Sequence, residues 1–190
     1  LTRTRAKLAG KSSQQRRESL RVTLDELLGT AKPSKTVRIA QADGKANERY
    51  ISGGLTYRVI RHSAGSQRPV PFLLLVPDVE DNARVPVVIG LSQGGKEAFL
   101  KYRADEIAKL LIAGVAVCLP DVTNSGELAA NNSRGRYNSA TSRAATALMV
   151  GDPIVAQQLR DVQAVLHRLR TDELIRAARI DVWGEAFSEP

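Results

Sequence analysis

The sequence predicts an α/β fold, a mostly parallel sheet with helices on both faces. Two observations carry that expectation. Short unbroken apolar runs alternate with segments whose apolar residues recur at helical spacing. Three polar or glycine-bearing segments, 92–95, 121–127 and 184–188, also fall just beyond predicted strands, where the chemistry of a wound parallel sheet collects.

Taken in order, residues 1–19 are polar, with Gly10, Lys11, Ser12 and Ser13 as a flexible break. Leu20, Leu24, Leu27 and Leu28 predict a short amphipathic helix ending at Gly29, and Pro33 marks a loop. Thr36-Val37-Arg38-Ile39 and Thr56-Tyr57-Arg58-Val59-Ile60 read as strands, with Gly53-Gly54 as a turn or bulge between them. Val70-Pro71-Phe72-Leu73-Leu74-Leu75-Val76-Pro77 and Val85-Pro86-Val87-Val88-Ile89-Gly90-Leu91 are continuous apolar runs suited to strands covered on both faces.

Phe99, Tyr102, Ile107, Leu110 and Leu111 then predict one helix over 96–113, stopped by Gly114. Val115-Ala116-Val117-Cys118-Leu119-Pro120 is the next strand, and a long polar loop runs from Thr123 to about Thr141. Asp152-Pro153 predicts an N-cap followed by a first-turn proline. Behind it Val155, Leu159, Val162, Leu166 and Leu169 form an apolar stripe, and residues 172–178 lead into a last strand, Ile180-Asp181-Val182-Trp183.

Charge separates the chain into two parts. Of a net charge of +8, residues 1–38 carry +7 and the remainder +1, so a basic N-terminal arm with a short helix (residues 1–35) precedes a nearly neutral body (36–190). The arm lacks interleaved aromatics or a binding motif. It reads as a solvated, partly helical leader; a nucleic-acid grip would show a steep salt dependence, lost on deleting residues 1–38. No window is apolar enough to span a membrane. Leu1 is no initiator Met, so the sequence reads as a mature, trimmed or cloned segment. Cys118 is alone, which excludes a disulfide framework and a cysteine metal site and fits any compartment. His62 and His167 read as surface or boundary residues.

The last strand leads into Gly184-Glu185-Ala186-Phe187-Ser188. Small residues two positions either side of 186 give the spacing of a nucleophile elbow, Gly-x-Ser-x-Gly, whose serine attacks an ester or amide carbonyl. Here the centre is Ala186, so the spacing is present and the hydroxyl is not.

In this order, Pro71 to Pro77, Pro86 to Leu91, Ala116-Val117-Cys118-Leu119-Pro120-Asp121, Gln158-Leu159-Arg160-Asp161-Val162 and Arg179-Ile180-Asp181-Val182-Trp183-Gly184 resemble the N-terminal half of an α/β-hydrolase. The resemblance covers roughly residues 20–190 and is nearest the acetyl-xylan-esterase-like and dienelactone-hydrolase-like branch. It implies an α/β-hydrolase-type sheet, incomplete here because the strands after the elbow are absent. It also implies a serine esterase, of the carbohydrate-deacetylase kind, that needs neither metal nor cofactor, in a secreted or periplasmic setting.

By the same resemblance, position 186 is the nucleophile's. The oxyanion hole would use the N–H of Phe187 and that of Gln93 or Gly94, and relatives often carry His-Gly where this chain has Ser92-Gln93. After Asp121 relatives often read Asp-x-Arg-Gly-x-Gly-Glu; here Gly126-Glu127 is kept and the Arg-Gly is not. Arg134, Arg136 and Tyr137 would form a substrate rim, with a solvated surface as the plainer reading. The catalytic acid and histidine would follow the elbow, in a second chain or a continuation. Two readings of Ala186 stay open: an engineered knockout of a serine esterase, or a natural non-catalytic relative that binds a carbohydrate or a protein.

Overall fold

The computed structural model describes residues 9–28, 37–41, 54–63, 66–77, 83–130 and 139–187. Six strands form one mixed sheet: β1 (Val37–Gln41), β2 (Gly54–Ser63), β3 (Ser66–Leu75), β4 (Val85–Ser92), β5 (Ala116–Pro120) and β6 (Ile175–Glu185), in the spatial order β1-β2-β3-β5-β4-β6. The β1–β2, β2–β3 and β3–β5 pairs are antiparallel, whereas β5–β4 and β4–β6 are parallel. Parallel pairing therefore falls in the half of the sheet whose strand ends carry the candidate site.

Helices cover both faces, as the unbroken apolar runs require. In β3 and β5 alternate residues serve opposite cores. Phe72, Leu74, Ala116 and Cys118 join Val87, Ile89 and Ile175 beneath α5 (Ile154–Arg170), which contributes Ala164, Val165 and Leu169. Leu73, Leu75, Val117 and Leu119 face the other way, against Phe99 of α2 (Gly95–Tyr102) and Ile107 of α3 (Ala104–Ile112). Fully buried side chains of this size stabilise by about 1.5–3 kcal/mol each. Gly90 lies under Phe99 and Leu119, where an added Cβ would meet the Leu119 side chain at 2.6 Å, so the sheet and α2 approach closely there.

The single helix expected over 96–113 is two. Arg103, at φ −132° and ψ 25°, ends α2 and starts α3, donating its N–H to Phe99 O at 2.8 Å. Asp105 and Glu106 follow in the first turn of α3, where carboxylates favour a helix start.

The cap expected at Asp152 is displaced by one residue: Pro153 is the N-cap of α5, and the Asp152 carboxylate pairs with Arg160 instead. The stripe expected along α5 also divides. Leu169 is buried, but Val155 is 60% and Leu159 37% exposed; the helix seats on the sheet through Ala164, Val165, Leu166 and Leu169, while Ala156 and Asp161 are also buried. The last strand is longer than the expected 180–183, because Ile175 pairs with Val85 before the register shifts and Ile180 pairs with Val87.

The long polar loop is partly structured, with a 3-10 turn at Gly126–Leu128 and α4 (Ser139–Met149) beginning inside it. In the arm, α1 spans Ser13–Leu28, longer than the leucine spacing alone indicated. Ser12 and Gln15 start it with reciprocal side-chain bonds, Gln15 N–H to Ser12 Oγ at 3.3 Å and Ser12 N–H to Gln15 Oε1 at 3.0 Å, a capping box. Its Leu20, Leu24 and Leu27 are exposed. Among the described residues no helix is long and apolar enough to cross a membrane.

Candidate functional site

Three strands of the parallel half end side by side, and each end is held differently. After β4, the Ser92 hydroxyl donates to Gly95 O at 2.9 Å across a turn that leaves Gln93 and Gly94 exposed. Gly95 opens α2 at φ +69°, and the next N–H, of Lys96, donates to Asp121 Oδ1 at 2.8 Å. The Lys96 ammonium donates to Asp121 Oδ2 at 2.6 Å and also pairs with the Glu127 carboxylate. Burial pulls the Lys96 ammonium down, but its hydrogen bonds and charge interactions with Asp121 and Glu127 outweigh that, and the net shift is upward.

After β5 the chain is tied to α5. Asp161, fully buried, accepts from the Thr123 N–H at 2.8 Å and the Thr123 hydroxyl at 2.5 Å. Gln158 Nε2 donates to Thr123 O at 2.9 Å. Asn124 adopts φ +68°, a conformation Asn tolerates better than most residues. Its side-chain oxygen is buried without a hydrogen-bond partner.

After β6, Glu185 accepts from Arg103 Nε at 3.0 Å and from the Trp183 indole N–H at 2.9 Å. Arg103 holds the Glu185 carboxyl below the usual carboxylate range, and Glu185 raises Arg103 in turn. The Phe187 ring meets Phe99 edge-on, with centroids 5.5 Å apart, and lies 5.6 Å from the Arg103 guanidinium. Both neighbours of position 186 are thus gripped from the break between α2 and α3.

Between these ends lies an open cleft of about 790 Å³. Ser92 and Gln93 line it from β4, Asn124 and Ser125 from β5, and Gly184, Glu185 and Ala186 from β6. Val155, Leu159, Val162 and Gln158 of α5 form its far wall.

The structure therefore brings Gln93 and Ala186, two of the residues singled out in the sequence, into one cleft. Gly94 is exposed beside it, and the Phe187 side chain turns away into the second core while its peptide follows Ala186. Arg134, Arg136, Tyr137 and Ser188 lie outside the described residues. His167 is exposed on α5, and burial pushes the Cys118 thiol up, leaving it protonated among core residues. The ties through Asp121, Asp161 and Arg103 were not foreseen. Their available signals were two glycines close to Asp121 in loops, and a charged residue, Asp161, next to an apolar stripe.

No family model matches the chain, and no curated protein does. Solved structures do. A candidate acetyl xylan esterase from Bacteroides fragilis superposes with a TM-score of 0.70 at 18% identity, over 91% of this chain and 47% of its own. A glucuronoyl esterase from Solibacter usitatus gives 0.58 at 14% identity, over 94% and 52%. Acetyl Xylan Esterase 1 from Thermoanaerobacterium sp. gives 0.52 at 14% identity, over 88% and 49%. The fold is that of part of an α/β-hydrolase, and the chain spans about half the length of the structures it matches.

Proposed function

We propose that this chain is the elbow-bearing part of a carboxylic-ester hydrolase acting on carbohydrate esters, with position 186 as the seat of the nucleophile. The supporting observation is the cleft itself: Ala186, at the end of β6, and Gln93, after β4, line the same opening at the carboxyl ends of parallel strands. The solved structures that share the fold include acetyl xylan and glucuronoyl esterases, which favours an acetylated or otherwise esterified polysaccharide as substrate.

In this reading a serine hydroxyl at 186 attacks the ester carbonyl and loses its proton to a histidine base. The oxyanion formed is held by the N–H of Phe187 and that of Gln93 or Gly94. Collapse of the tetrahedral adduct expels the alcohol, which takes up the proton, and leaves an acyl-serine that water then hydrolyses. The histidine and its acid would come from the part of such a fold beyond this chain's share, as a continuation or a second chain. Two features of the described residues favour such a complement. On α5, Val155 and Leu159 present exposed apolar surface to the cleft, and β6 is paired on one side only, with Val182 61% exposed. With Ala186 in place, acyl transfer has no nucleophile and the chain as given is inactive. Arg134, Arg136 and Tyr137 are assigned to the substrate rim on sequence grounds alone.

The test is hydrolysis of acetylated xylan and of a small aryl acetate by the chain joined to the sequence that follows it in its gene, with and without Ala186→Ser. Activity that depends on the serine supports the esterase. A folded but inactive pair overturns it and favours the second reading, a non-catalytic relative whose cleft binds carbohydrate or protein. That second reading draws on one observation: Ala186, which carries no nucleophile, lines the cleft at the strand ends.

A further inference from the structure

The Asp121 carboxylate takes no part in the reaction just described, yet it is the hub of two turns. Its side chain is 1% exposed. It accepts three hydrogen bonds, from the Lys96 N–H at 2.8 Å, the Lys96 ammonium at 2.6 Å and the Glu127 N–H at 3.1 Å. Gly95 and Gly126 stand against it in left-handed conformations, φ +69° and +46°, and a Cβ on either would overlap the carboxylate. Both turns are shaped around this one group.

A carboxylate and an ammonium withdrawn from water add little net stability compared with apolar packing, because desolvation offsets their attraction. What such a pair supplies is direction. The turn after β4 is fixed at its start by the Ser92 hydroxyl bonded to Gly95 O, and at its end by the Lys96 N–H bonded to Asp121. Gln93 and Gly94, exposed between those two points, are the residues whose N–H groups are the candidates for the second oxyanion donor. A backbone donor has no rotamer of its own, so its aim depends on how firmly the turn is held.

We propose that Lys96 and Asp121 are a positioning pair that fixes the turn at Gln93 and Gly94, so that its N–H groups face the cleft beside position 186. The purpose of that alignment rests on the esterase reading; the hold on the turn does not. Glu127 meets the Lys96 ammonium from the exposed side and keeps it over Asp121. A misplacement of about 1 Å at such a donor is sufficient to lower turnover by about 100-fold.

The experiment is amide hydrogen exchange on this chain, comparing peptides that cover 92–100 and 154–170 in the unmodified protein, Lys96→Met and Lys96→Arg. Lys96→Met is expected to speed exchange at 93–96 by about tenfold and to leave α5 unchanged, since local openings report the ties broken. Lys96→Arg, which keeps a cation over Asp121, is expected to restore most of the protection. No change in Lys96→Met, or equal acceleration in the 92–100 and 154–170 peptides, overturns the proposal. In the joined protein carrying Ala186→Ser, Lys96→Met should lower kcat with KM nearly unchanged. If the joined Ala186→Ser protein with Lys96 intact hydrolyses nothing while the exchange result is confined to the turn, the esterase reading falls and the positioning pair stands.

Discussion

The ends of β4 and β5 are built differently from the end of β6, although all three line one cleft. The first two are locked by carboxylates buried in the protein, Asp121 between two left-handed glycines and Asp161 beneath Thr123. The third is held from the side by Arg103, whose side chain is about one-third exposed, and it faces an apolar wall that remains open. On the proposed reading, the turn that carries the oxyanion donors is held by buried charge and glycine. The proposed nucleophile position is held by a partly solvated pair beside uncovered apolar surface.

If that contrast is right, the largest effect belongs to Asp121. Asp121→Ala takes away the buried partner of the largely buried Lys96, leaving it only the exposed Glu127, and frees two N–H groups; it should cost about 3–5 kcal/mol in urea unfolding. Gly126→Ala adds a Cβ against the same carboxylate at a left-handed position, with an expected cost of about 2–3 kcal/mol by the same measurement. Thr123→Val keeps the shape but removes the hydroxyl donor to Asp161, for about 1–2 kcal/mol.

At the β6 end the sign of the pH dependence is the sharper probe. Arg103 holds the folded Glu185 carboxyl below its ordinary value, so the stabilisation is present above about pH 4.3 and lost as pH falls through the lower folded value. Melting temperatures of the unmodified chain and Glu185→Gln should therefore differ at neutral pH and converge in acid. A gap that never narrows as the sample is acidified would show that packing, not the charge, holds this end. Smallest of all, Val155→Ser should leave stability within about 0.5 kcal/mol, because the side chain is already mostly in solvent. A large loss there would mean that the wall is covered and the contrast mistaken.

Much of this arrangement was legible in the residues. The apolar runs at 70–77, 85–91 and 115–120 marked β3, β4 and β5, because strands buried on both faces leave no polar position to interrupt them. The spacing around Ala186 and the turn at Gln93 placed two cleft residues that the structure brings together. The ties between loops were not legible, because a hydrogen bond from Lys96 to Asp121 spans 25 positions and has no periodicity. The apolar stripe of α5 misled for a related reason. Helical spacing finds a face but not its occupant, and here Leu166 and Leu169 of the stripe meet the sheet with Ala164 and Val165, while Val155 and Leu159 look into the cleft. Nor does spacing show that a side chain such as Arg103 is needed elsewhere, which is where the expected single helix divides.

The pairing of β6 with β4 also bears on how the chain acquires its shape. Gly90 lies beside Trp183, so the strand that carries position 186 finds its place only after β5 and α5 have been made and folded back. Contacts that close such long stretches form slowly, because the entropy of the intervening chain opposes them until the rest has condensed. The turn after β4 and its Asp121 anchor need a much shorter closure. During synthesis the side of the cleft formed after β4 and β5 can therefore stand assembled, with its glycines and its buried charge in place, before β6 has left the ribosome.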